Sequence, residues 1–133
     1  MATLRKEILI DTTPDKAWDA LRDIGALHTR LAPGFVTDTK VDGNARVVTF
    51  ANGQSVREEI VSIDPAQRRV SWAIVGQQFH HYNGAAQIFA HDKGGIRFVW
   101  VTDLLPDSLA SSIDDAMTNG IAVIKKTLES AGT

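Results

Sequence analysis

Between about Val36 and Leu104 the chain alternates apolar and polar residues in short runs, each closed by turn residues. A period of two is the signature of half-buried strands. The turns read Val41-Asp42-Gly43-Asn44, Ala51-Asn52-Gly53-Gln54, Asp64-Pro65-Ala66-Gln67, Val75-Gly76-Gln77-Gln78 and Asp92-Lys93-Gly94-Gly95. Asn52-Gly53 predicts a two-residue type I′ hairpin, in which both central residues take positive φ. Thr3 to Ile10 alternates in the same way and predicts an opening strand. Thr13-Pro14-Asp15 then marks a helix start, with a capping hydroxyl, a proline suited to the first turn and an acid at the positive end of the dipole. Ala17, Trp18, Leu21 and Ile24 share one face of that helix, with Gly25 as its stop. Leu27 to Leu31 predicts a second short helical piece. The closing helix, about Asp107 to Ser130, carries Leu109, Ile113, Met117, Gly120, Ile124 and Leu128 at spacings of three and four, which make one apolar stripe.

This order predicts an α+β fold: a seven-stranded antiparallel sheet wrapped around the long C-terminal helix, with two short helices after the first strand. A curved sheet gripping one helix leaves room between them, so an internal cavity of several hundred Å³, the usual scale of small-molecule sites, is expected.

Strand parity decides which side chains face that cavity. Ile96, Phe98, Trp100, Thr102 and Leu104 share the inward parity of the last strand. Tyr82, Gly84, Ala86 and Ile88 share it one strand earlier, and the same parity carries His80 inward. Val70, Trp72 and Ile74 form the next inward set. Two charged residues fall on apolar parities: Glu58, with Val56 and Ile60, and Arg46, with Val48 and Phe50. A buried charge costs several kcal/mol unless it is paired or wet. Either Arg46 and Glu58 pair across adjacent strands, or they line a hydrated cavity and meet a ligand. Gly120 costs the helix roughly 1 kcal/mol relative to alanine, so it serves a close approach or leaves space for a ligand. His80 can act as a base near neutrality or as a plain hydrogen-bonding residue. His80 and His81, adjacent on a strand, face opposite ways and cannot share one ion, so no metal site is expected.

Composition narrows the function further. The 133 residues, 44% hydrophobic and 23% charged, suit one globular domain over residues 1–133. A net charge of −2 argues against nucleic-acid binding. No run approaches the ~20 apolar residues of a membrane span. The absence of cysteine removes thiolate chemistry, and a cytoplasmic location is expected. No phosphate loop, nucleophile elbow or metalloprotease motif is present, and no cofactor is expected.

Several local segments carry a resemblance that spans nearly the whole chain. They are Thr13-Pro14-Asp15-Lys16-Ala17-Trp18, Gly43-Asn44-Ala45-Arg46, Asn52-Gly53, Val56-Arg57-Glu58, Asp64 through Trp72, Tyr82-Asn83-Gly84, Val99-Trp100 and Gly120 through Lys126. With the element order they resemble the START/Bet v 1-like (SRPBCC) superfamily and its helix-grip fold, and within it the bacterial polyketide cyclase/dehydrase-type proteins. One departure stands at Leu31, near the place where such proteins often carry a tryptophan, and it alters a cavity wall.

Three functions follow as expectations. The first is binding of a small hydrophobic, aromatic or amphipathic molecule by Arg46, Glu58, Trp72, His80, Tyr82, Phe98, Trp100, Met117, Gly120 and Ile124. The second is cyclase or dehydratase chemistry, with Glu58, His80 or Tyr82 moving protons and Arg46 stabilising an enolate or carboxylate. The third is an interaction domain with a vestigial cavity, as monomer or homodimer. Fold alone does not choose among them.

Overall fold

The computed structural model describes residues 1–131. Seven strands, β1 (Ala2–Ile10), β2 (Val36–Asp42), β3 (Ala45–Phe50), β4 (Ser55–Asp64), β5 (Arg69–Ile74), β6 (His81–Ala90) and β7 (Ile96–Leu105), form one antiparallel sheet. Its spatial order is β1-β7-β6-β5-β4-β3-β2, a meander in which only β1 is out of sequence. Helix α1 (Pro14–Leu21), a 3₁₀ turn (Ile24–Ala26) and a π turn (Leu27–Leu31) join β1 to β2. After β7 a 3₁₀ turn at Asp107–Leu109 leads into helix α2 (Ala110–Ala131). No helix among the described residues is long and apolar enough to cross a membrane.

Helix α2 lies on the sheet through the expected stripe. Met117, Ile124 and Leu128 of that stripe are buried, as is Ile121 beside it, and Ile121, Ile124 and Leu128 share one apolar cluster with Ile10, Val70, Ile88, Ile96, Phe98 and Leu104. The bulge between Ile60 and Ser62 shifts the β4–β5 register and, as bulges do, bends the strand.

The local expectations hold with two amendments. Thr13 caps α1, its hydroxyl accepting from Lys16 N at 3.2 Å. However, α1 ends at Leu21 rather than reaching Gly25, because Asp23 (φ −81°, ψ 76°) leaves the helical region. Ile24 therefore sits in the 3₁₀ turn. The Asn52-Gly53 turn is not type I′ either. Only Gly53 has positive φ (+86°), and Phe50 N donates to Gln54 O at 2.8 Å. The loop is thus three residues, Ala51 to Gly53, with its one left-handed residue at the glycine, a common three-residue hairpin solution.

At Gly84 and Gly120 aromatic rings approach the backbone closely. Gly84 lies opposite Trp72 in the β5–β6 pairing, and a Cβ there would stand 2.7 Å from the indole Cε2 and Nε1. At Gly120 a Cβ would come within 3.0 Å of the Phe35 and Trp100 rings. The Trp72 ring is buried and rigid, so Gly84→Ala is expected to cost about 1–3 kcal/mol by overpacking. Denaturant unfolding measures this. A neutral or stabilising result would mean that the indole does not lie across the strand.

Candidate functional site

A chamber of about 110 Å³ lies between the sheet and α2. Its sheet wall carries Trp72, Tyr82, Ala86, Phe98 and Trp100. Its helix wall carries Ile113, Ala116, Met117 and Ile124. A third wall comes from the segment between α1 and β2, through Leu27, Leu31 and Phe35. Arg46 and Glu58 are the two charged residues on the lining, and every other lining residue except Tyr82 is apolar.

Arg46 and Glu58 stand directly opposite one another on β3 and β4. Arg46 Nε donates to Glu58 Oε1 at 2.8 Å, with side chains only 6% and 9% exposed. Arg46 Nη1 also donates to Ile24 O at 3.3 Å, and the guanidinium carbon lies 5.6 Å from the Trp72 ring centroid. Of the two arrangements open to the sequence, the pair is therefore mutual and buried, and it also borders the chamber. Burial, and next the Glu58 charge, push the Tyr82 phenol well above its ordinary pKa. Tyr82 thus stays protonated and able to donate. The indole Nε1 atoms of Trp72 and Trp100 are buried without a partner among the described residues.

An outer vestibule of about 640 Å³ adjoins the chamber. Phe35, Phe50, Glu58, Tyr82, Ile113 and Ala116 line both spaces. The Phe35 and Phe50 rings meet edge to face at 5.6 Å. The enclosed part is smaller than the several hundred Å³ expected, because large rings (Trp72, Phe98, Trp100, Tyr82) project into it from the sheet. The larger volume lies outside, in the open mouth.

Eight of the ten expected ligand residues line the chamber: Arg46, Glu58, Trp72, Tyr82, Phe98, Trp100, Met117 and Ile124. His80 does not. It is exposed, and Phe79 takes the inward place, packed on Tyr82 with ring centroids 4.8 Å apart. The parity argument failed there because β6 begins at His81 and the preceding loop turns at Gln77 (φ +61°). Gly120 does not line the chamber either, since Phe35 and Trp100 occupy the space a side chain would need. Phe50, on the inward parity with Arg46 and Val48, also lines the chamber, whereas Phe35 was missed as a wall residue. Phe35 follows a Pro-Gly turn, where no periodicity announces an inward side chain. No cluster of three metal-ligating residues occurs among the described residues.

Similar architectures recur among solved structures. XoxI from Bacillus cereus superposes with a TM-score of 0.85 at 14% identity, covering 96% of each chain. The di-domain ARO/CYC BexL of the BE-7585A biosynthetic pathway gives 0.82 at 16% identity over 97% of this chain and 47% of that one. Norcoclaurine synthase from Thalictrum flavum gives 0.74 at 15% identity over 98% of this chain and 85% of that one. At such identities the likeness is one of fold, the helix-grip, Bet v 1-like arrangement. A search of curated proteins found no match to the sequence. The sequence itself matches, over residues 1–130, the family model described as polyketide cyclase / dehydrase and lipid transport, and the chain belongs to that family.

Proposed function

We propose that this chain binds a small hydrophobic or amphipathic molecule, whose apolar part enters the chamber between the sheet and α2. The observation that carries this reading is the chamber's wall: it is apolar and aromatic, and its two charges satisfy each other 2.8 Å apart. Apolar cavities of about 150 Å³ stay dry and take up benzene, so a space of this scale suits a single ring. Burial of ring and methylene surface there would supply the main driving force.

Acid–base chemistry in the same space is the competing reading, since BexL and norcoclaurine synthase have this fold and bear enzyme names. Three features favour binding over proton transfer. The Glu58 carboxylate is engaged by Arg46. Burial pushes the Tyr82 phenol up, further from the neutral range in which an acid–base group works best. His80 is on the outside.

Titration with benzene tests the proposal, followed by the fluorescence of Trp72 and Trp100, both on the wall. Saturable change in the wild type, lost when Phe35 and Ala116 are both enlarged to fill the chamber, is expected. A response that rises linearly with benzene, without saturation, would sink it. For catalysis to displace binding as the main role, Glu58→Gln would have to abolish a turnover while leaving benzene uptake intact.

A further inference from the structure

The mouth of the chamber differs in kind from its interior. Asn52 and Gln54 rise from the β3–β4 turn, Gln77 and Gln78 from the β5–β6 loop, and Ser112 and Asn119 from α2. All six line the vestibule, on three separate segments that converge on one opening. The single charged residue on the vestibule lining is Glu58, and it is neutralised from within by Arg46. Ser55, paired with Thr49, adds a second serine hydroxyl, and in a chain where 23% of residues are charged a polar rim built from amides and hydroxyls is selective chemistry. The Gln77, Gln78 and Asn119 amides make no hydrogen bond to other described residues, so their donors and acceptors remain available. Deeper in, the two indole Nε1 atoms are buried inside the wall, with Trp72 Nε1 lying against Gly84, so the interior meets the inserted group with ring and methylene surface.

Resting on the proposed binding function, we infer that the ligand is an uncharged amphiphile: a ring-sized apolar head, and a tail of hydroxyl or amide groups that the rim holds. A terminal carboxylate, phosphate or ammonium finds no counter-charge at this mouth. It would give up hydration without an ionic partner, which is unfavourable at a partly enclosed site. Amide and hydroxyl tails exchange water hydrogen bonds for rim hydrogen bonds at little cost.

Three probes with one phenyl head and one tether length test this: phenylbutyramide, phenylbutyrate and phenylbutylamine, with benzene as the tail-free control. Calorimetric titration at neutral pH should show the amide binding at least about tenfold more tightly than either ion. Gln78→Lys, an exposed rim change outside the chamber, should then raise phenylbutyrate affinity and leave benzene unchanged. Equal affinities for the three tails, or tighter binding of either ion to the wild type, would overturn the inference while benzene binding preserved the chamber reading. If benzene itself fails to bind, the chamber reading falls and this inference falls with it.

Discussion

Glu58→Ala should destabilise the protein by about 3–5 kcal/mol, the usual cost of leaving one member of a buried ion pair alone. Arg46 would keep its bond to Ile24 O at 3.3 Å and its place 5.6 Å from the Trp72 ring. Neither supplies a counter-charge, and the side chain has 6% exposure with which to reach water. The paired substitution Arg46→Met with Glu58→Leu should recover most of the loss, because a buried pair exchanged for apolar groups of similar size is often neutral or better. Urea unfolding of the single and double variants measures both, with the interaction energy read from the cycle. A single-variant loss below about 1 kcal/mol would show that water entering the chamber solvates the stranded guanidinium. The pair would then be a hydrated anchor rather than a dry strut. The distinction bears on function, since a dry pair presents ligand with a neutral, satisfied surface and a wet one presents an exchangeable charge.

The inward placement of that pair was legible because strand parity is a strict code wherever a strand is regular. Arg46 lies with Val48, and Glu58 lies with Val56 and Ile60, on one face of uninterrupted pairing through the β3–β4 hairpin. The same code read the buried Trp72, Tyr82 and Phe98 correctly. It failed where the backbone leaves the regular pattern. His80 lies outside β6, and the left-handed Gln77 resets the phase so that Phe79 turns inward. Gly25 looked like a helix stop, but the chain had already left α1 at Asp23. Cavity size was beyond the pattern altogether. Parity says which rings point inward and is silent on how far they fill the space. Gly120 was visible as an exception, but only the Phe35 and Trp100 rings say what it admits, and the need for glycine at Gly84 shows only in the opposed Trp72 ring.

Phe98→Ala should cost about 3–5 kcal/mol and should also change what the chamber accepts. Phe98 is 1% exposed, stands between Ile8 on β1 and Ile88 on β6, and forms part of the chamber wall. In a solid core, neighbours recover some of the loss by closing around the gap. Here the removed ring opens directly onto an existing void of about 110 Å³, whose opposite walls are held by α2 and by the buried ion pair. Collapse is therefore resisted, and the cost should lie toward the upper part of the range, where residual cavity volume is largest. The enlarged space should take a two-ring hydrocarbon such as naphthalene in preference to benzene, reversing the wild-type order. Ligand at about 100 times its dissociation constant would then restore about 2.7 kcal/mol to the variant. Thermal unfolding of wild type and variant, each with benzene and with naphthalene, reads stability and selectivity in one experiment. A loss under about 2 kcal/mol with no change in preference would mean that α2 settles onto the sheet when the ring is removed. The chamber would then be a packing remnant that the large side chains hold open, and its proposed role in binding would fail with it.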